Sequence, residues 1–144
     1  EIQEFIGCNI NFIQDNESYS KYGVLRGLHY QKDPKQQSKL VRVTKGQIQD
    51  IIIDVRNGSD TYAKWESFDL SAKNNNMLFI PKGFAHGFLV LSEEAIINYR
   101  VDNFFDLNLD AGINYKDSSL AIDWILSDEE IIVSEKDRKL PNLK

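Results

Sequence analysis

The stretch KLVRVTKGQIQDIIIDVRNGSD, residues 39–60, constrains the fold more than any other part of the chain. Two apolar runs are broken at Lys45-Gly46 and end at Asn57-Gly58. Asn and Gly both tolerate positive φ, so this pair between extended runs predicts a hairpin. Alternation in the second run sets Gln49, Ile51, Ile53 and Val55 on one face and Ile48, Asp50, Ile52 and Asp54 on the other. Apolar residues on both faces predict a strand that is covered on both sides.

Further strands are expected at KWESFDL, MLFIP, GFLVLS and AIINYRV, separated by SAKNNN, PKG and SEE. Beyond Asp102 the pattern weakens into NFFDLNLDAGINYKDSS, which reads as loop. LAIDWIL follows, and SDEEIIVSEKDRKL has room for one short helical turn that starts on acidic residues. No segment repeats internally. Short, closely spaced strands with Gly and Pro turns predict an all-β sandwich or barrel. At 144 residues the chain suits one domain over 1–144, large enough to fold without staples. A net charge of −5 argues against nucleic acid as a partner. The single cysteine, Cys8, excludes an internal disulfide and fits a reducing, cytoplasmic setting. No apolar run approaches the roughly 20 residues of a membrane span, so no membrane partner is expected.

Residues able to carry chemistry are few. Only two histidines are present, His29 and His86, too few for a site of three imidazoles in one chain. In VLRGLHYQ, plain alternation would place Val24, Arg26, Leu28 and Tyr30 on one face and Leu25, Gly27, His29 and Gln31 on the other. His29 reads there either as a half-buried structural residue or as a base. PKGFAHGF has the Pro-x-Gly-x-x-His spacing of the second half of a cupin motif. A metal-binding cupin also needs a His-x-His pair and a glutamate, and GLHYQ offers one histidine, so no metal is expected. Arg26, beside the small Gly27, reads as an anion clamp or as a surface residue. Lys39 opens an apolar strand, where a solvated lysine is the plain alternative. Tyr99 shares an apolar face with Ile97 and Val101, as a packed core tyrosine would. Asp137 lies in the charged run SEKD, where a solvated face is the default.

Taken in order, QDNESYSKYGVLRGLHYQ, KLVRVTKGQIQDIIIDVRNGSDTYAKW and FIPKGFAHGFLVLSEEAIINYRV resemble the sugar-nucleotide 3,5-epimerase family. DSSLAIDW and SEKD fit as well, and the match runs from about Phe12 to Pro141. The resemblance implies a cupin-type jelly-roll barrel with short C-terminal helical turns, free of metal and cofactor, and a homodimer. It implies an isomerase of activated-sugar and cell-surface polysaccharide biosynthesis, acting on a nucleotide-linked 4-keto-6-deoxy sugar. His29 would be the general base, Asp137 its orienting partner, Lys39 the stabiliser of the enolate oxygen and Tyr99 the acid on the opposite ring face. Gln14, Asn16, Arg26 and His86 would line the sugar and phosphate site, with Asp50 in support.

The residue types suit that chemistry. A carbon beside a ketone is acidic only when the oxyanion is stabilised, so the base needs a nearby cation or donor. An unperturbed imidazole titrates near ~6.5, which suits proton abstraction around neutrality. A carboxylate on its other nitrogen fixes tautomer and orientation. Inversion then needs a proton from the opposite face, which a ketoisomerase would not. Two departures keep other readings open. The family usually carries a strand upstream that supplies nucleotide contacts, and this chain is expected to lack it. Phe104 and Phe105 stand where rhamnose-pathway members commonly have tyrosines, so a single-carbon epimerase on another nucleotide sugar, such as a GDP-heptose derivative, is an alternative. A silent sugar-nucleotide-binding barrel is another, disfavoured by the presence of His29, Lys39 and Tyr99 together.

Overall fold

The computed structural model describes residues 2–144. In chain order these form α1 (Ile2–Ile6), β1 (Gln14–Lys21), β2 (Val24–Gln31), β3 (Lys39–Lys45), β4 (Gln47–Asp54) and β5 (Trp65–Ser71). There follow β6 (Met77–Ile80), β7 (Phe84–Val90), β8 (Glu94–Val101), β9 (Asp110–Gly112), β10 (Ile132–Val133) and α2 (Glu135–Arg138). One sheet has the order β1-β8-β3-β6; the other has β10-β2-β7-β4-β5, with β9 also on β2. Neighbours run antiparallel except β10, which lies parallel to β2. The result is the expected all-β jelly-roll barrel with a short helical turn near its C-terminal end.

Packing follows the alternation read from residues 39–60. Inward residues of the first sheet (Val41, Val43, Ile97) meet Ile48, Phe88 and Val90 of the second in one core. The opposite face of the second sheet presents Leu28, Ile51, Ile53 and Ala85, which are closed over by Ile113 and Leu120 of the C-terminal segment. Gln49, on that outer face, is 3% exposed because its amide joins the covering segment. Its Nε2 donates to the Asp123 carbonyl at 2.9 Å, and its Oε1 accepts from Ile125 N–H at 2.9 Å. A polar residue between isoleucines is thereby satisfied. β4 is covered on both sides, as its sequence predicts.

Several local expectations shift. The break at Lys45-Gly46 carries the chain from the first sheet to the second. Asn57-Gly58 does lie between antiparallel partners β4 and β5, but within a longer connection, residues 55–64. There Asp54 gathers Arg56, Ser59 and Thr61 around one carboxylate, which holds its pKa well below the usual range. The GFLVLS strand starts earlier, at Phe84. β9 emerges from the segment read as loop, and β1 and α1 carried no apolar signal strong enough to read.

The largest departure lies in β2. Arg26 sits opposite Phe88 and His29 opposite His86, so three steps on β2 match two on β7. This bulge carries one extra residue and reverses the alternation beyond it. Arg26 and His29, placed on opposite faces by plain alternation, therefore point to the same one. Gly27 and Gly87 make the close approach possible. A Cβ on Gly27 would stand 2.7 Å from the His86 carbonyl oxygen and 2.8 Å from Gly87 Cα, at a φ of +116°. A Cβ on Gly87 would stand 2.7 Å from the Arg26 carbonyl oxygen. Gly27→Ala is expected to lower unfolding free energy by at least ~2 kcal/mol through backbone strain and contact with β7. Urea denaturation reads this directly; an unchanged midpoint would mean that the bulge tolerates a side chain.

Candidate active site

A cavity of about 810 Å³ opens at the inner face of both sheets. β1 contributes Gln14 and Asn16 to its wall, β2 Arg26 and His29, and β3 Lys39. His86 enters from β7, Tyr99 from β8 and Asp137 from α2. Each of these was singled out in the sequence, and the fold brings them together. Asp50 is the exception: it is 0% exposed and sits behind His86, so it does not contact the cavity as a substrate-binding residue would.

The bulge in β2 also positions the acid–base pair. Freed from the ladder, Gly27 N–H donates to Asp137 Oδ2 at 2.9 Å. The other oxygen, Oδ1, lies 2.9 Å from His29 Nε2. Asp137 is held from its own side as well, because Ser134 caps α2 and accepts from Asp137 N–H at 3.1 Å. β10, parallel to β2, delivers α2 to this place. Burial works to raise the Asp137 pKa, but the hydrogen bonds from His29 and Gly27 outweigh it and keep the carboxylate below its usual value. A neutral His29 that donates Nε2–H to that carboxylate keeps the Nδ1 lone pair free to accept a proton. Asp137 is thus the one buried member of a charged run that is otherwise exposed to solvent.

Lys39 begins β3 and faces the interior. Burial lowers its pKa to about 8, while attraction to Asp50 and Asp110 opposes the shift. A poorly solvated ammonium interacts strongly with any oxyanion that forms beside it. Tyr99 is half-buried, not packed away as a core tyrosine. Burial raises its pKa against the pull of the Arg26 charge, so the phenol keeps its proton at neutrality. Arg26 is fixed by donating from Nε to Ser20 Oγ at 3.0 Å and from one terminal nitrogen to the Tyr19 carbonyl at 3.2 Å. Its remaining N–H groups stay available for an anion.

His86 Nε2 lies 2.9 Å from Asp50 Oδ2, with both groups buried. The histidine reads best as a wall residue held by a carboxylate. Gln37, Asp110 and Lys136 also line the cavity and were missed. Asp110 and Lys136 pair at 3.0 Å, joining β9 to α2. Neither lies in a run whose periodicity fixes its facing, so no local signal marked them. Of the two phenylalanines, Phe105 borders the cavity and Phe104 does not.

Comparison with known proteins finds relatives over nearly the whole chain. The sequence profile described as dTDP-4-dehydrorhamnose 3,5-epimerase matches residues 1–144. The dTDP-4-dehydrorhamnose 3,5-epimerase of Methanothermobacter thermautotrophicus is 48% identical over 139 residues, 96% of this chain and 75% of that protein. A crystal structure of the Bacillus anthracis enzyme of that name, with TDP and PPi bound, superposes at a TM-score of 0.94 and 45% identity, covering 99% of this chain and 81% of that one. The Legionella pneumophila 3,5-epimerase in complex with dTDP-4-keto-L-rhamnose gives 0.93 and 42% identity, covering 98% and 74%.

The depressed Asp137 pKa has a sign that can be tested. Its stabilising contribution is present above the unfolded value near ~3.9 and is lost as pH falls through the lower folded value. Asp137→Asn should therefore cost about 1–3 kcal/mol at pH 7. In urea titrations the gap from wild type should close below about pH 4. A gap that stays constant with pH would contradict the pairing with His29.

Proposed function

The chain belongs to the dTDP-4-dehydrorhamnose 3,5-epimerase family, and on that premise we propose that it inverts C3 and C5 of a dTDP-linked 4-keto-6-deoxy sugar. The observation that carries this reading is the meeting of His29, Lys39 and Tyr99 in one cavity, with Asp137 behind the histidine. His29 takes the proton from the carbon beside the ketone. Electron density moves into the C4 oxygen, where Lys39 stabilises the enolate. Tyr99 returns a proton to the opposite ring face and is reprotonated from solvent, while His29 gives up the abstracted proton to solvent before it acts again. The same sequence at the carbon across the ketone completes the double inversion.

Arg26, Gln14 and Asn16 hold the diphosphate-linked portion, so binding away from the reacting carbons orients the ring. The His86 imidazole borders the sugar. Neither a metal nor a cofactor enters this scheme, since the acidity of the carbon comes from the ketone itself. A cytoplasmic homodimer completes the proposal. Among the described residues no helix is long and apolar enough to cross a membrane. Sedimentation at the 16.6 kDa monomer mass alone would remove the dimer.

Proton NMR of the dTDP-linked 4-keto-6-deoxy sugar in D₂O tests the reaction. Wild type should place deuterium at both C3 and C5 with inversion, and His29→Ala should slow exchange by at least ~10²-fold. Tyr99→Phe should exchange protons while inverting poorly. Near-normal exchange in His29→Ala would refute its role as the base.

A further inference from the structure

Lys39 and Asp50 look into the barrel from opposite sheets. Lys39 shares its row with Val41 and Val43, and Asp50 shares its row with Ile48 and Ile52; these apolar neighbours meet in one core. Asp50 has no exposure at all. One oxygen faces His86 Nε2 at 2.9 Å; the other, Oδ1, is buried with no hydrogen-bond partner among the described residues. A carboxylate oxygen withdrawn from water without a partner is costly unless a cation compensates it.

The available cation is Lys39, whose amine makes no hydrogen bond or ion pair among the described residues. Burial pulls its pKa down to about 8, and attraction to Asp50, then to Asp110, opposes the fall. Asp110 is already engaged by Lys136 at 3.0 Å. His29 from β2, His86 from β7 and Tyr99 from β8 also face this space, and none of them brings a negative charge at neutrality. Asp137 spends both oxygens on His29 and Gly27, and the exposed Glu17 accepts from Asn98, so Asp50 is left as the carboxylate with a buried, unpartnered oxygen.

We propose that Asp50 is a positioning residue that acts through Lys39: one oxygen fixes His86, and the other is the counter-charge that keeps the Lys39 amine cationic and turned into the cavity. The proposal rests on the reading of Lys39 as the partner of the enolate oxygen. It gives Asp50 a task other than contact with the sugar, consistent with its place behind the wall. It also ties two wall residues on different strands to one carboxylate.

The test is Asp50→Asn, which keeps the size and a hydrogen bond for His86 but removes the charge. In protein labelled with ¹³C-lysine, the ε-carbon of Lys39, assigned through Lys39→Gln, should titrate at least ~1 pH unit lower than in wild type. The alkaline limb of the kcat profile on the dTDP-linked 4-keto sugar should move with it. An unmoved Lys39 midpoint overturns the proposal, including when kcat falls uniformly at every pH. A midpoint that moves while the kcat profile stays fixed supports the charge coupling and removes Lys39 from the reaction. Should Asp50→Asn fail to fold, the double variant Lys39→Gln with Asp50→Asn decides: recovery of the wild-type melting temperature supports the coupling, and no recovery overturns it.

Discussion

The hydrogen bond from Gly27 N–H to Asp137, over 2.9 Å and between residues 110 positions apart, is the contact on which the site depends. It exists because β2 carries one residue too many against β7, which leaves a backbone donor unpaired inside the protein. A buried N–H must find an acceptor, and the acceptor that answers also orients the imidazole two residues on. The same extra residue swings Arg26 onto the face of His29. One irregularity thus brings Arg26, His29 and Asp137 into a single cavity. The small volume of Gly27 and Gly87 lets the two strands approach closely enough to hold it.

Around that contact the barrel supplies what water cannot. Groups that would be ordinary at the surface become poised when one wall is apolar and the other polar: a lysine near the edge of ionisation, a phenol that keeps its proton, a carboxylate that stays charged. Their pKa values move in different directions for different reasons. Burial dominates at Lys39 and Tyr99, whereas hydrogen bonds prevail at Asp137. A site for proton transfer needs such separation, since an acid, a base and an oxyanion partner of equal affinity could not hold distinct protonation states.

Much of this was legible in the sequence, and the reasons differ by residue. β4 announces itself because Ile48, Ile51, Ile52 and Ile53 leave no face without apolar side chains, and both faces are covered. His29, Lys39 and Tyr99 could be named from their motifs. What alternation could not supply was the facing of Arg26 relative to His29, because a bulge is a property of two strands together. Asp137 looked solvated for a similar reason: charge runs are read locally, while its partner lies on a strand near the other end of the chain. β1 hid because its inward row, Gln14, Asn16, Ser18 and Ser20, faces a polar cavity, so no hydrophobic rhythm marks it. Asp110 and Lys136 sit on pieces too short to have a rhythm at all.

The route by which Asp137 reaches His29 has a kinetic side. The segment that carries it is held to the barrel by the amide of Gln49, two residues of parallel strand, a four-residue helix and the packing of Val133 against Leu25 and Leu89. Short terminal elements of this kind open locally at a lower free-energy cost than the sheets beneath them come apart. Each opening leaves a complete barrel with an imidazole that has lost its orienting partner. Turnover is then the product of an intrinsic rate and the fraction of time the tail is docked. Warming would erode that fraction well before the barrel melts, so the enzyme would fade with temperature ahead of its own unfolding.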